Sequence, residues 1–360
     1  MARWKNIGVS GFKSIRDLQT LQIKPVNVLV GANGAGKSNL ISFFRLLASI
    51  PVQKLQYFVA RAGGADTLLY HGPNETIGFS ASLDFEGEAG DAKYFFHLVS
   101  NPKDALFFAE ERVTHDGEPM IRVGSGHYES QILEDERSRE LRDLLIGIQA
   151  YHFEDTSGTS PIRRRVYVED NRSLRSDAGN LAAFLYGLRH REPLYYRRIV
   201  STIQQIAPFF DDFDLAPMAE DQHSIILNWK DRDSDHIFGP HQLSDGTLRS
   251  MALVALLAQP ESDLPGLIVI DESEIGLHPY ALDILAALVK RASHHTQIIL
   301  ATQSVTLVNQ FKPEDVITVT REKAQSKFER HDSASLAAWL DEYSIGDIWE
   351  KNVIGGTPLS

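Results

Sequence analysis

Cysteine is absent from the 360 residues, so neither a disulfide framework nor a cysteine-ligated zinc holds the chain together, which agrees with a reducing compartment. No apolar run approaches the ~18–20 residues that a bilayer span requires. The start, MARWKNIGVSGFKS, lacks the apolar core of a secretory signal. A cytoplasmic protein with no membrane partner is expected. Basic charge is also in short supply: 36 Lys and Arg stand against 48 Asp and Glu, a formal net charge of −12. That balance opposes broad attraction to nucleic acid or to an anionic bilayer. Low-complexity tracts and internal repeats are missing, and the hydrophobic fraction of 43% is that of an ordinary globular chain. A chain this long buries a large core without staples.

What the chain does have is apolar patterning in blocks. A strand-like IGVSGF is followed by VNVLV, which stops at Gly31; from Ser38 to Leu47 the residues Leu40, Ile41, Phe43, Phe44, Leu46 and Leu47 recur at helical spacing. Residues 77–123 read as several short strands between turn signals such as EGEAGD and HDGEP, an antiparallel flank. Residues 129–150 and 179–210 carry helical periodicity, clearest in LAAFLYGL and YYRRIVSTIQQI, and predict a compact helical insertion. No heptad is sustained between Lys37 and Ser244, which excludes a long coiled-coil arm. Beyond position 235 the order is a helix at 246–258, the strand LIVID at 267–271, a helix at 280–292 and the strand QIILAT at 297–302. Strands this apolar, bracketed by helices, belong in a mostly parallel sheet covered on both faces. The expected class is α/β: residues 1–125 and 235–325 share one sheet, 126–234 form a mainly helical lid, and 326–360 form a helical tail.

Three motifs carry chemistry. GANGAGKS, Gly31 to Ser38, matches G-x-x-x-x-G-K-[ST] at every position and stands between a strand and a helix, the context a phosphate loop needs. Its backbone amides and the helix N-terminus suit an anion, Lys37 is placed for terminal phosphates, and the Ser38 hydroxyl for Mg²⁺. LIVIDE, Leu267 to Glu272, is a buried strand ending in two carboxylates. Asp271 is the candidate beside the metal and Glu272 the candidate general base for an attacking water. LSDGTLR opens a helix with Ser244 and Gly246, whose hydroxyl, amides and helix dipole suit a γ-phosphate presented from a neighbouring copy. A plain helix N-cap by Ser244 or Asp245 is the alternative there.

The order of these motifs resembles ABC-type ATPases, in particular the RecF-like and OLD-like branch of the RecF/SMC group of AAA-family ATPases. GFKSI, GANGAGKSN, LSDGTLR and DESEIGLHP carry the resemblance, and GGADTLLYHG, YHFEDTS and DIWEKNVIGGTP extend it along most of the chain. The expected fold is an ABC-type P-loop ATPase head. The resemblance implies that ATP is held by Gly31, Ala32, Asn33, Gly34, Ala35, Gly36, Lys37, Ser38 and Asn39 of one copy and by Ser244 and Gly246 of another. The partner is thus the chain itself, as an ATP-dependent homodimer or higher oligomer. Lys37, Glu272 and Gln303 are the implied catalytic residues, with Mg²⁺ on Ser38 and Asp271. Departures are visible. Ser273 stands where most relatives have Pro, and Gln303 stands where a switch His is frequent; an amide cannot take a proton, which counts against fast turnover. The Q-loop glutamine is unassigned among Gln53, Gln56 and Gln149. Lys13 is a candidate to approach the nucleotide and His278 to contact the opposite site, each with a local structural alternative.

Other features are weaker. Pro161 to Arg165 and Tyr195 to Arg198 are basic clusters, candidates for DNA contact or for solvated faces. Asp211 to Asp214 read as an acidic loop, and the histidines of SHHTQ as a helix end. Leu336, Trp339, Leu340, Tyr343, Ile345, Ile348 and Trp349 recur at roughly helical spacing in the tail, a core-docking or partner surface. OLD-like nucleases carry a Toprim domain after the ATPase; the stretch after Ser304 is short for one and contains no D-x-D motif. Three functions compete: a dimerising ATPase motor or switch, a nucleotide-gated scaffold for a separately encoded effector such as an antiviral nuclease, and a DNA-repair ATPase. A transporter is disfavoured by the missing membrane segment.

Overall fold

The computed structural model describes residues 2–87, 90–115, 119–134, 138–272 and 274–357. Two six-stranded sheets organise them. The antiparallel sheet contains β1 (Arg3–Phe12), β2 (Ile15–Gln22), β4 (Gly78–Gly87), β5 (Gly90–Ser100), β6 (Leu106–His115) and β7 (Ile121–Gly124), in the order β2-β1-β4-β5-β6-β7. Its strands alternate: Phe79, Ala81, Leu83 and Phe85 of β4 are buried and the residues between them are not, the period-2 signature of a sheet with one covered face. The central sheet contains β3 (Val26–Val30), β8 (Ile148–Tyr151), β14 (Leu267–Ile270), β15 (Gln297–Thr302), β16 (Val316–Glu322) and β17 (Gln325–Arg330) in the order β17-β16-β3-β15-β14-β8. All its pairs are parallel except the β16–β17 hairpin. Every residue of β3, β14 and β15 is buried, as their unbroken apolar runs require.

Side-chain parity sorts the central sheet into two cores. Leu29, Val269, Ile299 and Val319 face α1 (Lys37–Ser49) and the covered side of the antiparallel sheet. Val28, Val30, Ile268, Ile270, Ile298 and Leu300 face the other way, into a core with α4 (Leu181–Arg191), α5 (Pro193–Ile206), α6 (Asp245–Ala258) and α7 (Pro279–Ala292). The remaining helices are α2 (Leu55–Arg61), α3 (Arg139–Ile146), α8 (Val305–Val308), α9 (Ala337–Leu340) and α10 (Ile345–Glu350). Two short pairings complete the chain: β9 (Val166–Tyr167) with β11 (Ser224–Ile225), and β10 (Phe210–Asp214) with β12 (Asn228–Asp231) and β13 (Ile237–Phe238). Among the described residues no helix is long and apolar enough to cross a membrane.

Several elements differ from their sequence expectation. Among the described residues the stretch 129–150 holds one α-helix, α3; after Gly147 the chain enters β8, which joins the edge of the central sheet against β14. Four residues are too few for periodicity to separate strand from helix, and pairing with β14 decides. A core strand therefore lies inside 126–234. Asp211 to Asp214 lie on β10 rather than in a loop, with Asp212 accepting from Tyr196 Oη at 2.6 Å. The first part of 326–360 is strand β17, not helix.

Side chains join the two sheets: Arg330 of β17 donates to Gln22 O of β2 at 2.7 Å, and Gln297 ties β15 to β1. Gln297, buried at the start of β15, accepts from the Trp4 amide at 2.8 Å and donates to the carbonyls of Trp4 at 2.9 Å and Ile23 at 3.1 Å. Gln297→Ala leaves buried backbone groups of β1 unpaired and is expected to lower stability by about 3 kcal/mol. A urea titration checks this, as a lower midpoint at unchanged slope.

Candidate functional site

The strand β3 ends at Val30, and six residues later α1 begins. Between them Gly34 and Gly36 adopt φ of 77° and 116°, left-handed turns that cost a non-glycine residue dearly. The glycines play different parts. A Cβ on Gly31 would meet Val319 O at 2.3 Å, and one on Gly36 would meet Ser326 Oγ at 1.9 Å, whereas Gly34 faces open space. The loop is thus packed from beneath and open at its apex. By helix geometry the first amides of α1 lack intrahelical partners, so they face outward beside that apex.

Side chains tie the loop in place. Ser326 Oγ donates to Ala35 O at 2.6 Å and pairs with Ser14 Oγ at 2.6 Å. Asn39 Nδ2 donates to Ser14 Oγ at 2.5 Å. The GFKS turn therefore touches the loop through Ser14. Lys13, beside it, sits at φ 48°, and burial, then the Arg45 charge, lower its pKa. Lys37 Nζ donates to Gly31 O at 2.6 Å and Ala32 O at 3.2 Å. Burial lowers its pKa, against the opposing pull of Glu274, Asp271 and Glu272.

The carboxylates come from the end of β14. The Asp271 amide donates to Tyr151 O at 3.3 Å, a continuation of the β14–β8 ladder. Asp271 is buried and its Oδ1 has no hydrogen-bond partner. Desolvation raises its pKa, opposed by His152, Arg45 and Lys37. Glu272 adopts φ 48°, rare for a side-chain-bearing residue and a mark of local constraint. Its pKa is raised by desolvation, then by Asp271, Glu154 and Glu274. Ser273 lies outside the described residues. Glu274 Oε1 accepts from the Gln303 amide at 2.5 Å, and Gln303 Nε2 donates to Asn33 Oδ1 at 2.6 Å. Gln303 thereby links the phosphate loop to the segment after β14. The second Glu274 oxygen is buried without a partner. Unpaired carboxylate oxygens beside a buried ammonium and an outward-facing helix N-terminus are a donor set that fits a hydrated divalent cation carried with phosphates.

Two participants escaped the sequence reading. Glu274 is one; His152 is the other. Because Tyr151 pairs with Ile270, the next residues of the two strands, His152 and Asp271, end side by side. His152 Nε2 lies 2.8 Å from Glu154 Oε2, and its buried Nδ1 has no partner. The only sequence signal was an apolar run ending in YHFEDTS, with no register to set it against β14. The three glutamines considered as the Q-loop residue lie away from this corner. Gln53 donates to Ser130 O at 2.7 Å, Gln56 to Leu106 O at 2.8 Å and Tyr128 O at 2.7 Å, and Gln149 lies exposed in mid-strand opposite Ile268.

LSDG caps α6. Ser244 Oγ accepts from the Thr247 amide at 3.1 Å, so the N-cap is real, while Ser244 and Asp245 remain exposed. Gly246 packs against the segment after β14: a Cβ there would lie 2.2 Å from Gly276 O. Two guanidiniums hold this corner. Arg249 Nε and Nη2 donate to Phe153 O and Glu154 O, each at 3.0 Å, and Nη1 donates to Ile275 O. Arg163, 6% exposed, donates to Thr156 O at 2.8 Å, to Leu243 O at 3.3 Å, to Pro240 O and to Asp245 Oδ1 at 2.7 Å. Among the described residues no hydrogen bond joins Leu243–Gly246 to the phosphate loop of the same chain.

The other candidates serve local structure. Arg163 is withdrawn from the PIRRR cluster by burial, leaving Arg164 and Arg165 exposed. In the second cluster Arg198 lies 4.7 Å from the Tyr195 ring centroid, and Tyr195 bonds Glu261. His278 caps α7, its Nδ1 accepting from the Tyr280 amide at 3.3 Å. Of the tail residues, Leu336, Ile345, Ile348 and Trp349 are buried, and Trp339 is 42% exposed. Arg163→Ala strands carbonyls around a buried corner and is expected to lower stability by about 3 kcal/mol, read from calorimetric melting; Arg164→Ala, on an exposed side chain, shifts it by less than about 0.5 kcal/mol.

The geometry can be set beside known proteins. A family model described as "AAA domain, putative AbiEii toxin, Type IV TA system" matches residues 26–309. No curated protein matches the chain. Among solved structures, an Smc head bound to the C-winged helix domain of ScpA is 15% identical, with a TM-score of 0.63 over 93% of this chain and 99% of that one. A Smc head with an extended coiled coil bound to the C-terminal domain of ScpA, from Pyrococcus furiosus, is 14% identical, with a TM-score of 0.63 over 95% and 99%. The SMC head domain from Thermotoga maritima is 15% identical, with a TM-score of 0.51 over 92% and 99%. The family match spans most of the chain and the fold is that of an SMC head, so the protein belongs to this AAA-domain family.

Proposed function

We propose that the chain binds and hydrolyses ATP and closes head to head on a second copy, LSDG of each covering the phosphate loop of the other. One observation carries the reading: the phosphate loop is open at Gly34, while an exposed, rigidly braced helix start at Ser244–Gly246 has no bond to its own loop. Each half-site lacks what the other presents. In this reading 1–125 and 235–325 form the nucleotide-binding head together with β17, 126–234 supply His152 and Arg163, and the tail from 331 to 357 packs against it.

Mg·ATP, when bound, supplies the anhydride to be cleaved and the cation that offsets its charge. The chain's own residues would do the rest. Lys37 turns from the carbonyls of Gly31 and Ala32 toward the terminal phosphates, and the loop amides between Asn33 and Ser38 that lack a partner within the protein donate to them. Ser38 and Asp271 hold the cation. Glu272, whose pKa is pushed up by burial and by its acidic neighbours, is suited to accept a proton from water near neutral pH. Gln303, bonded to both Asn33 and Glu274, orients rather than transfers protons, which favours slow turnover and a switch over a fast motor. The family description names a toxin of a two-component system, and this supports a separately encoded partner, an effector such as a nuclease, read through the closed and open states. A DNA-repair role draws less support, because Arg163, one of the three arginines of that basic cluster, is buried.

Glu272→Gln is expected to slow hydrolysis by about 10²–10⁴-fold while keeping nucleotide binding, and to double in solution mass with Mg·ATP by light scattering. Adding Ser244→Arg to it should abolish the doubling. A mass indifferent to nucleotide in both proteins sinks the dimer reading, and parental turnover in Glu272→Gln removes that residue as the base.

A further inference from the structure

Two hydrogen bonds tie the end of the chain to the surroundings of the nucleotide site. The Ala32 amide donates to Gly356 O at 2.6 Å. The Gly346 amide donates to Asn309 Oδ1 at 2.6 Å. The second bond seats α10 beside α8, the helix that starts directly after Gln303 and Ser304. The seat is tight: a Cβ on Gly346 would come within 2.4 Å of Asn309 Oδ1 and 2.8 Å of Val305 O. From α10 the chain turns through Asn352, Gly355 and Gly356, with φ of 58°, 76° and 87°, and runs back to the phosphate loop. There Gly31 is confined on two sides. Val319 O would lie 2.3 Å from a Cβ on Gly31, and Gly31 Cα would lie 3.6 Å from a Cβ on Gly356. The Trp349 indole, buried in the main core, would lie 3.2 Å from that same Gly356 Cβ.

We infer that residues 344–357 are a positioning strap for the phosphate loop, with the Gly355–Gly356 turn holding Gly31 and Ala32 in place and α10 anchoring that turn to the helix after Gln303. The reason lies in what Lys37 does. Its ammonium bonds the carbonyls of Gly31 and Ala32 and so holds the start of the loop from inside. A lysine turned toward phosphates gives up both contacts. The loop then keeps its shape through what grips the same two residues from outside: Val319 on β16 and Gly356 in the strap. The strap also reaches, through Asn309, the helix following the residue that bonds Asn33. This inference rests on the nucleotide-binding role of Gly31–Asn39 and is independent of dimer closure.

The test compares full-length wild type with Gly356→Ala, which puts a side chain into a left-handed turn, and with Asn309→Ala, which frees α10 without touching the turn. Each is titrated with the fluorescent nucleotide mant-ATP, melted without ligand, and probed by hydrogen exchange over residues 31–36. If loss of the strap leaves about a tenth of the chains with a binding-ready loop, apparent Kd weakens about tenfold. Both variants are expected to fold and to show that weakening and faster exchange at 31–36; Asn309→Ala melts close to wild type, and Gly356→Ala somewhat lower because its left-handed turn is strained. An affinity within about twofold of wild type in Asn309→Ala, or in folded Gly356→Ala, overturns the strap. Should Gly356→Ala fail to fold, Asn309→Ala decides alone. Wild type that does not bind mant-ATP overturns both the strap and the nucleotide reading. Wild type that binds it but never doubles in mass removes only the dimer, and the variant comparison then judges the strap unchanged.

Discussion

A phosphate loop has to keep its amides turned away from the protein that supports it, and nearly everything around Gly31–Ser38 answers that demand. Amides pointing outward cannot be satisfied from within, so the support has to come through carbonyls, side-chain oxygens and close packing. Ser326 supplies it at Ala35, β16 at Gly31, Gln303 at Asn33 and Gly356 at Ala32. These contacts come from the far ends of the sequence. That is why the β16–β17 hairpin and the tail, which carry none of the nucleotide-binding motifs, pack onto the first strand-to-helix turn of the chain.

The same corner concentrates charge. A buried lysine faces Asp271, Glu272 and Glu274, and burial pushes Lys37, Asp271 and Glu272 toward their neutral forms. Their mutual attraction opposes that tendency for Lys37, while repulsion among the acids adds to it for Glu272. The result is two carboxyl oxygens with no protein partner, Asp271 Oδ1 and Glu274 Oε2, both just beyond the carboxyl end of β14. Ligands in open α/β sheets bind outside the carboxyl ends of strands.

Arginine performs the long-range joining. Arg163 and Arg249 bond backbone carbonyls on both sides of the gap between the segment after β8 and the start of α6. A guanidinium suits this work because its fork of donors satisfies several carbonyls at once and keeps its charge when buried. Residues 153–156, which follow His152, and LSDG are thereby one braced unit. Within the arginine-rich stretch Arg163 is internal scaffolding, while Arg164 and Arg165 stay exposed.

Motifs whose chemistry is local were legible in the chain itself. The glycines, Lys37 and Ser38 follow from the geometry of one turn, the apolar run before Asp271 from burial on both faces of a sheet, and Ser244 from the needs of a helix start. What could not be read were the residues whose role depends on register or on distant partners. His152 matters because β8 pairs with β14 at one particular register, and a four-residue strand carries too little periodicity to announce it. Glu274 matters because the Gln303 amide arrives beside it, and Arg163 is buried because Leu243 and Asp245 come to it from far along the chain. The sequence by itself determined the phosphate loop, the acidic strand end and the capped helix, since each is encoded within a few neighbouring residues. Only the tertiary structure decided what surrounds them, because hydrogen bonds between residues hundreds of positions apart leave no mark on local pattern.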